Sequence, residues 1–190
     1  RLLSMDKKKN KQIISEISNA LQRLAQENNF SSSHVLLADK SELNLFSDEG
    51  FSIRTSYSFH WFNNGYKDFE YFLKDMTSRQ RKNIKKERQK IVDQNIEMIR
   101  LNGNEINHEM LECFYKFYQV TYLKRGMRGY LNFEFFKKII DMIPESILLV
   151  LAKNKIGNYV AGAFNFHDDK KLYGRYWGCL EEYDSLHFET

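Results

Sequence analysis

The sequence predicts an α/β protein of the α+β kind, with a mixed, largely antiparallel sheet and flanking helices. Three observations lead there. The second half of the chain runs strand, helix, helix and then three short apolar segments separated by tight loops. Phe and Tyr, at 15 and 11, far outnumber the 2 Trp, which suits packed sheet faces better than a plain helical bundle. The single proline, Pro144, stands between a helical pattern and the first of those apolar segments, where it stops the helix. At 190 residues and 42% hydrophobic content, the chain can bury a core as one domain or two small ones.

Taken in order, residues 5–28 place Ile13, Ile14, Ile17, Leu21 and Leu24 at helical spacing, with Lys7, Lys8, Lys9, Lys11, Glu16 and Arg23 on the other face. His34 to Ala38, HVLLA, is bounded by serines and Asp39 and reads as a short buried strand; residues 40–46 fit one or two helical turns. The run FSIRTSYSFHWF, residues 51–62, alternates with a period of two and predicts a strand with one packed face, ended by Asn63, Asn64 and Gly65. Phe69, Phe72, Leu73 and Met76 then mark a helix over 68–76.

Residues 77–95, TSRQRKNIKKERQKIVDQN, predict one long basic helix capped by Thr77 or Ser78. Arg79, Arg81, Lys82, Lys85, Lys86, Arg88 and Lys90 crowd onto it against Glu87, and Ile84 and Ile91 form a narrow apolar stripe to be buried. Its cations read either as a solvated face or as an anion-binding surface. Residues 96–101 form a strand. A helix follows over 106–124, facing inward through Met110, Leu111, Phe114, Phe117, Tyr118 and Leu123, then the loop 125–129, a second helix over 132–143, and strands over 146–153, 159–166 and 171–178. Asp184 or Ser185 caps a helix that the chain barely starts, and the chain opens on Arg1 rather than Met, which together predict a fragment.

The net charge of +4, concentrated in the first half, permits nucleic acid, nucleotide phosphates or acidic head groups as partners. Cys113 and Cys179 lie in no metal-type spacing and read as reduced thiols of a cytoplasmic protein. The sequence holds no bilayer-length apolar run, signal peptide, P-loop or Ser-His-Asp order, which argues against transmembrane, ATPase, hydrolase and metalloenzyme classes.

The order strand, helix, helix, three antiparallel strands, helix start is similar to the first half of the GNAT acyltransferase fold. With the strings RQRKNIKKERQ and YGRYWG followed by LHFE, the chain resembles the FemAB-like peptidoglycan biosynthesis or recognition proteins, in which two GNAT-like lobes stand in tandem. The resemblance implies that residues 1–76 belong to a first lobe, 77–95 to a basic connecting helix between lobes, and 96–190 to the first half of a second lobe. It also implies acyl or aminoacyl transfer to an amine of a cell-wall precursor or similar small molecule, with acyl-CoA or aminoacyl-tRNA as donor and no metal. A GNAT lobe holds the cofactor pyrophosphate on a turn of the Gln/Arg-x-x-Gly-x-Gly/Ala type. Here that place is CLEEYDSLHFE, which contains no glycine, so free CoA is expected to bind poorly. The alternatives are a nucleic-acid module that holds tRNA on the basic helix and a non-catalytic structural lobe.

For the chemistry, a four-residue turn at 167–170 would set Gly162 opposite Arg175, between Tyr173 and Trp177 on one strand face. The Arg175 guanidinium would then stack on rings and present a fork to phosphate or carboxylate, or else pair with Glu181 or Asp141. Ala161, Gly162 and Ala163 make a small-residue patch, read as close packing. His187 and Glu189, just past the last strand, are the candidate bases for an attacking amine, or helix-start hydrogen-bonding residues. Arg125 and Arg128 in the loop KRGMRGY, with Arg81 and Lys85 on the basic helix, are the further candidate anion ligands.

Overall fold

A computed structural model describes residues 10–188, and the chain divides into two compact units that meet at Asn63 and Asn64. The first unit contains helices α1 (Asn10–Glu27) and α2 (Lys40–Asp48), which bury Ile14 and Phe46 between them. The Asp39 amide donates to the Glu42 carboxylate at 3.0 Å and so closes the start of α2, while the Phe51 ring meets Phe46 edge-on at 5.7 Å.

Two expectations fail in this unit. Residues 34–38 are not a strand: Leu36 and Leu37 are exposed, and Leu37 has a φ of 59°, which breaks any extended run. Residues 51–62 keep their alternating pattern but pair with no strand among the described residues, and Ile53, Tyr57, Phe59, Trp61 and Phe62 are exposed. A period of two names the face a strand would bury. It does not supply the neighbouring strand whose N–H and C=O groups the ladder requires.

The second unit begins with α3 (Phe69–Lys74), capped by the Asp68 carboxylate, which accepts from the Tyr71 amide at 2.7 Å. Helix α4 (Ser78–Asp93) follows, started by a reciprocal cap in which the Thr77 hydroxyl accepts from the Gln80 amide and the Gln80 side chain accepts from the Thr77 amide. Ile91 is buried as expected, whereas Ile84 is only half-buried.

Next come β1 (Glu97–Asn102), α5 (His108–Leu123), α6 (Phe133–Met142), β2 (Ile147–Lys153), β3 (Tyr159–His167) and β4 (Leu172–Cys179). Asn107 and Asn132 cap α5 and α6 by accepting from Met110 and Phe135 amides, both at 2.9 Å. The strands form one sheet in the order β1-β2-β3-β4, antiparallel at every pairing. The expected strand, helix, helix, three-strand order is present, and both helices pack on one face of the sheet. Leu111, Phe114, Phe117 and Tyr118 of α5 and Phe136 and Ile140 of α6 bury against Leu149, Leu151 and Phe164. Phe114 sits 5.5 Å from Phe136 and 5.3 Å from Phe164, and each fully buried ring of this kind contributes about 1.5–3 kcal/mol. A second cluster of Ile91, Ile96, Ala152, Val160, Ala161, Cys179 and Leu186 ties α4 to the sheet.

The β3–β4 register differs from expectation. His167 pairs with Leu172 and Phe166 with Tyr173; then a bulge leaves Arg175 without a partner, so Phe164 faces Tyr176 and Gly162 faces Gly178. The turn starts one residue later than expected because the Asp168 carboxylate accepts from the Lys170 and Lys171 amides, at 2.7 and 2.8 Å. The small-residue patch is close packing, as read: a methyl at Gly162 would come 2.8 Å from Leu151 Cδ2 and 3.1 Å from the Val150 carbonyl.

Among the glycines, Gly178 makes the closest approach to a neighbouring element. A methyl there would overlap the Phe117 carbonyl oxygen and lie 2.6 Å from both the Phe117 carbonyl carbon and Thr121 Oγ1. Helix α5 therefore rests directly on the β4 backbone. Gly178→Ala is expected to lower stability by about 1–3 kcal/mol through overpacking, read as a reduced urea midpoint at unchanged slope. Gly174→Ala, where the methyl would meet only Asn165 Oδ1 at 3.6 Å, is expected to leave the midpoint nearly unchanged.

Candidate functional site

Because α5 lies on the end of β4, its last turn and the segment after β4 enclose a cleft of about 550 Å³. Thr121, Lys124 and Arg125 form one wall, Trp177 and Cys179 the floor, and residues 181–187 the other wall. The Thr121 hydroxyl sets the junction, shared between the Phe117 carbonyl of its own helix at 3.0 Å and the Trp177 carbonyl of β4 at 3.1 Å.

The segment after β4 is held mainly by the end of α4. Gln94 Nε2 donates to the Asp184 carbonyl at 3.0 Å, and Gln94 Oε1 accepts from the Asp184 amide at 3.0 Å, in the manner of a strand pair. Lys90 Nζ meets the Asp184 carboxylate at 2.7 Å. Ser185 turns the chain with a φ of 68°, and Leu186 is buried beside Ile91 and Cys179. On the opposite side, Lys124 Nζ reaches Glu182 Oε1 at 3.0 Å, and the Tyr183 hydroxyl donates to Glu181 at 2.8 Å.

These contacts shift several groups. The Lys90 ammonium holds the Asp184 carboxyl below its usual range, and the bond to Glu182 raises the Lys124 ammonium. Burial raises the Cys179 and Cys113 thiols, which disfavours the thiolate and makes both poor nucleophiles.

His187, Trp177 and Arg125 come together in this cleft, with the His187 ring edge-on to Trp177 at 6.2 Å. Glu189 lies outside the described residues. Arg128 is exposed in the loop after α5 and does not line the cleft. Tyr173 and Arg175 lie nearer the β3–β4 turn. With the bulge, Arg175 stacks on Tyr176, its carbon 5.1 Å from the ring centre, and donates to the Tyr176 hydroxyl at 3.2 Å, rather than lying between Tyr173 and Trp177.

The basic helix is used internally more than its composition suggests. Arg81 donates to the Lys74 and Met76 carbonyls at 3.3 and 3.0 Å and so closes the end of α3. Lys85 pairs with Glu70 at 2.8 Å, and Arg88 lies 4.3 Å from the Phe69 ring centre. Arg79, Lys82 and Lys86 remain exposed.

A family model described as FemAB-like, peptidoglycan biosynthesis/recognition, matches residues 1–190. The chain belongs to this family. No curated protein matches it. In the FemAB-like chain, Lys90, Gln94, Thr121, Lys124, Glu182 and Asp184 shape the cleft without having been singled out as site residues from sequence. The signal was the acidic string LEEYD directly after YGRYWGC, set against a lysine in the last turn of the basic helix. Among the described residues, no cluster of His, Cys, Asp or Glu could hold a metal, and no helix is long and apolar enough to cross a membrane.

Because Asp184 titrates below its ordinary value, its pairing stabilises the fold above about pH 4 and the contribution is lost as pH falls through the depressed value. Lys90→Met is expected to move the Asp184 carboxyl upward in a carbon-detected NMR titration and to flatten that acid limb. An unmoved Asp184 would place the cause elsewhere.

Proposed function

We propose that this FemAB-like chain takes part in amide formation, transferring an acyl or aminoacyl group to the amine of a cell-wall precursor in the cleft between α5 and the segment after β4. The observation that carries this reading is the joining of His187, Trp177 and Arg125 in one open cleft of a chain from a peptidoglycan biosynthesis/recognition family. A neutral amine attacks the donor carbonyl carbon, its electron pair forming the C–N bond while the carbonyl π pair moves to oxygen. The oxyanion then re-forms the carbonyl and expels the donor's alcohol or thiol, which takes up a proton. His187 is the group we assign to remove the proton from nitrogen, and Lys124 and Arg125 set a positive field at one wall. The protein otherwise acts by aligning two substrates.

An ester-borne donor such as aminoacyl-tRNA suits the cleft better than CoA. The Leu180, Asp184 and Leu186 amides already donate to Val160, Gln94 and Tyr183, so they are not available to cradle a pyrophosphate. The exposed Arg79, Lys82 and Lys86 of α4 offer a place for a polyanion such as tRNA, which would give salt-dependent binding.

The test is transfer from aminoacyl-tRNA, and separately from acetyl-CoA, to an amine-bearing muropeptide, followed by mass spectrometry of the acceptor. Transfer from the tRNA ester is expected, and His187→Gln is expected to lower its rate about 100-fold or more with binding of the acceptor retained. No mass gain from either donor would remove the transferase reading.

A further inference from the structure

The walls of the cleft are anchored unequally. Asp184 is tied to α4 through its side chain, amide and carbonyl, and Leu186 is buried, so the end of the segment is fixed. Among the described residues, the Glu182 side chain is tied only to Lys124, through an ion pair. That pair spans from the end of α5 to the far wall, with side chains 51% and 82% exposed, and both residues line the cleft. Beside it, Arg125 also lines the cleft, and among the described residues its guanidinium has no ion-pair partner.

We propose that Glu182 is an internal occupant of an anion seat formed by Lys124 and Arg125, and that a ligand's phosphate or carboxylate enters by displacing it. The Glu182 carboxylate offers Lys124 the chemistry such a ligand group would bring, and it does so from the strap of residues that forms the far wall of the cleft. An exposed ion pair of this kind is weak, so an anion held by both cations outcompetes it. Release is confined to residues 181–182, because Tyr183 packs against the second core cluster and accepts from the Leu186 amide, and the contacts of Asp184 and Leu186 hold the rest in place. Glu182 thus competes with the ligand for the seat, and a neutral ligand leaves the Glu182–Lys124 pair in place. The inference rests on reading this cleft as the ligand site and not on the transfer reaction itself.

The test compares the whole chain with Glu182→Gln, Lys124→Gln and Glu145→Gln, titrated by NMR with inorganic phosphate in one arm and acetate in the other. Glu145 is an exposed carboxylate in the short turn before β2, so its replacement changes net charge equally without touching the cleft. Glu182→Gln is expected to tighten at least one anion about two- to fivefold, with shifts centred on Lys124 and Arg125, and the arm with the larger gain identifies the ligand group. Lys124→Gln is expected to abolish those shifts. Equal tightening in Glu145→Gln, unchanged affinity in Glu182→Gln, or shifts that survive Lys124→Gln would overturn the proposal. Tighter anion binding by Glu182→Gln without any acyl transfer would leave the strap standing and remove only the transferase reading.

Discussion

The direct contact of α5 with the backbone of β4 at Gly178 is the constraint on which the second unit depends. A side chain at that position would push the helix off the sheet, and Thr121, one turn after Phe117, could no longer share its hydroxyl with the Trp177 carbonyl. The aromatic core of Phe114, Tyr118, Phe136 and Phe164 supplies the larger energy, but it is tolerant in kind. The glycine contact decides position. It sets where α5 ends relative to β4 and therefore where Lys124 and Arg125 stand above Trp177 and Cys179.

The cleft also depends on α4 in a way its composition disguises. A helix so rich in Lys and Arg looks like a ligand surface, yet Arg81, Lys85, Arg88 and Lys90 each engage another part of the same unit. Most of these contacts are exposed and individually weak. Their effect is geometric: Lys90 and Gln94 fix Asp184, and Asp184 with Leu186 fixes the wall that carries His187. Stability in this unit comes mainly from buried rings, while the shape of the cleft comes from polar contacts at its rim.

Much of the second unit was legible because its signals are local. Pro144 stops a helix and inward-facing residues recur at helical spacing, so helices and strands were placed to within a few residues. The hairpin register was not legible, because the bulge at Arg175 is decided by the pairing as a whole and by the Asp168 turn. Residues 51–62 show the converse: alternation is a local property, whereas a strand exists only with a neighbour. In the cleft, His187, Trp177 and Arg125 were marked by residue type and position. Lys124 and Glu182 were passed over, and Lys90 and Asp184 were read only as a helix cation and a helix cap, because their meaning lies in pairs separated by 58 and 94 positions in sequence.

The most direct measurement is a map of backbone amide shifts on adding an amine-bearing muropeptide to the labelled protein. Shifts are expected at Lys124, Arg125, Trp177, Glu182 and His187, with α6 and the β3–β4 turn quiet. Shifts confined to the exposed face of α4 or to residues 51–62, with the cleft unmoved, would contradict the assignment of the site.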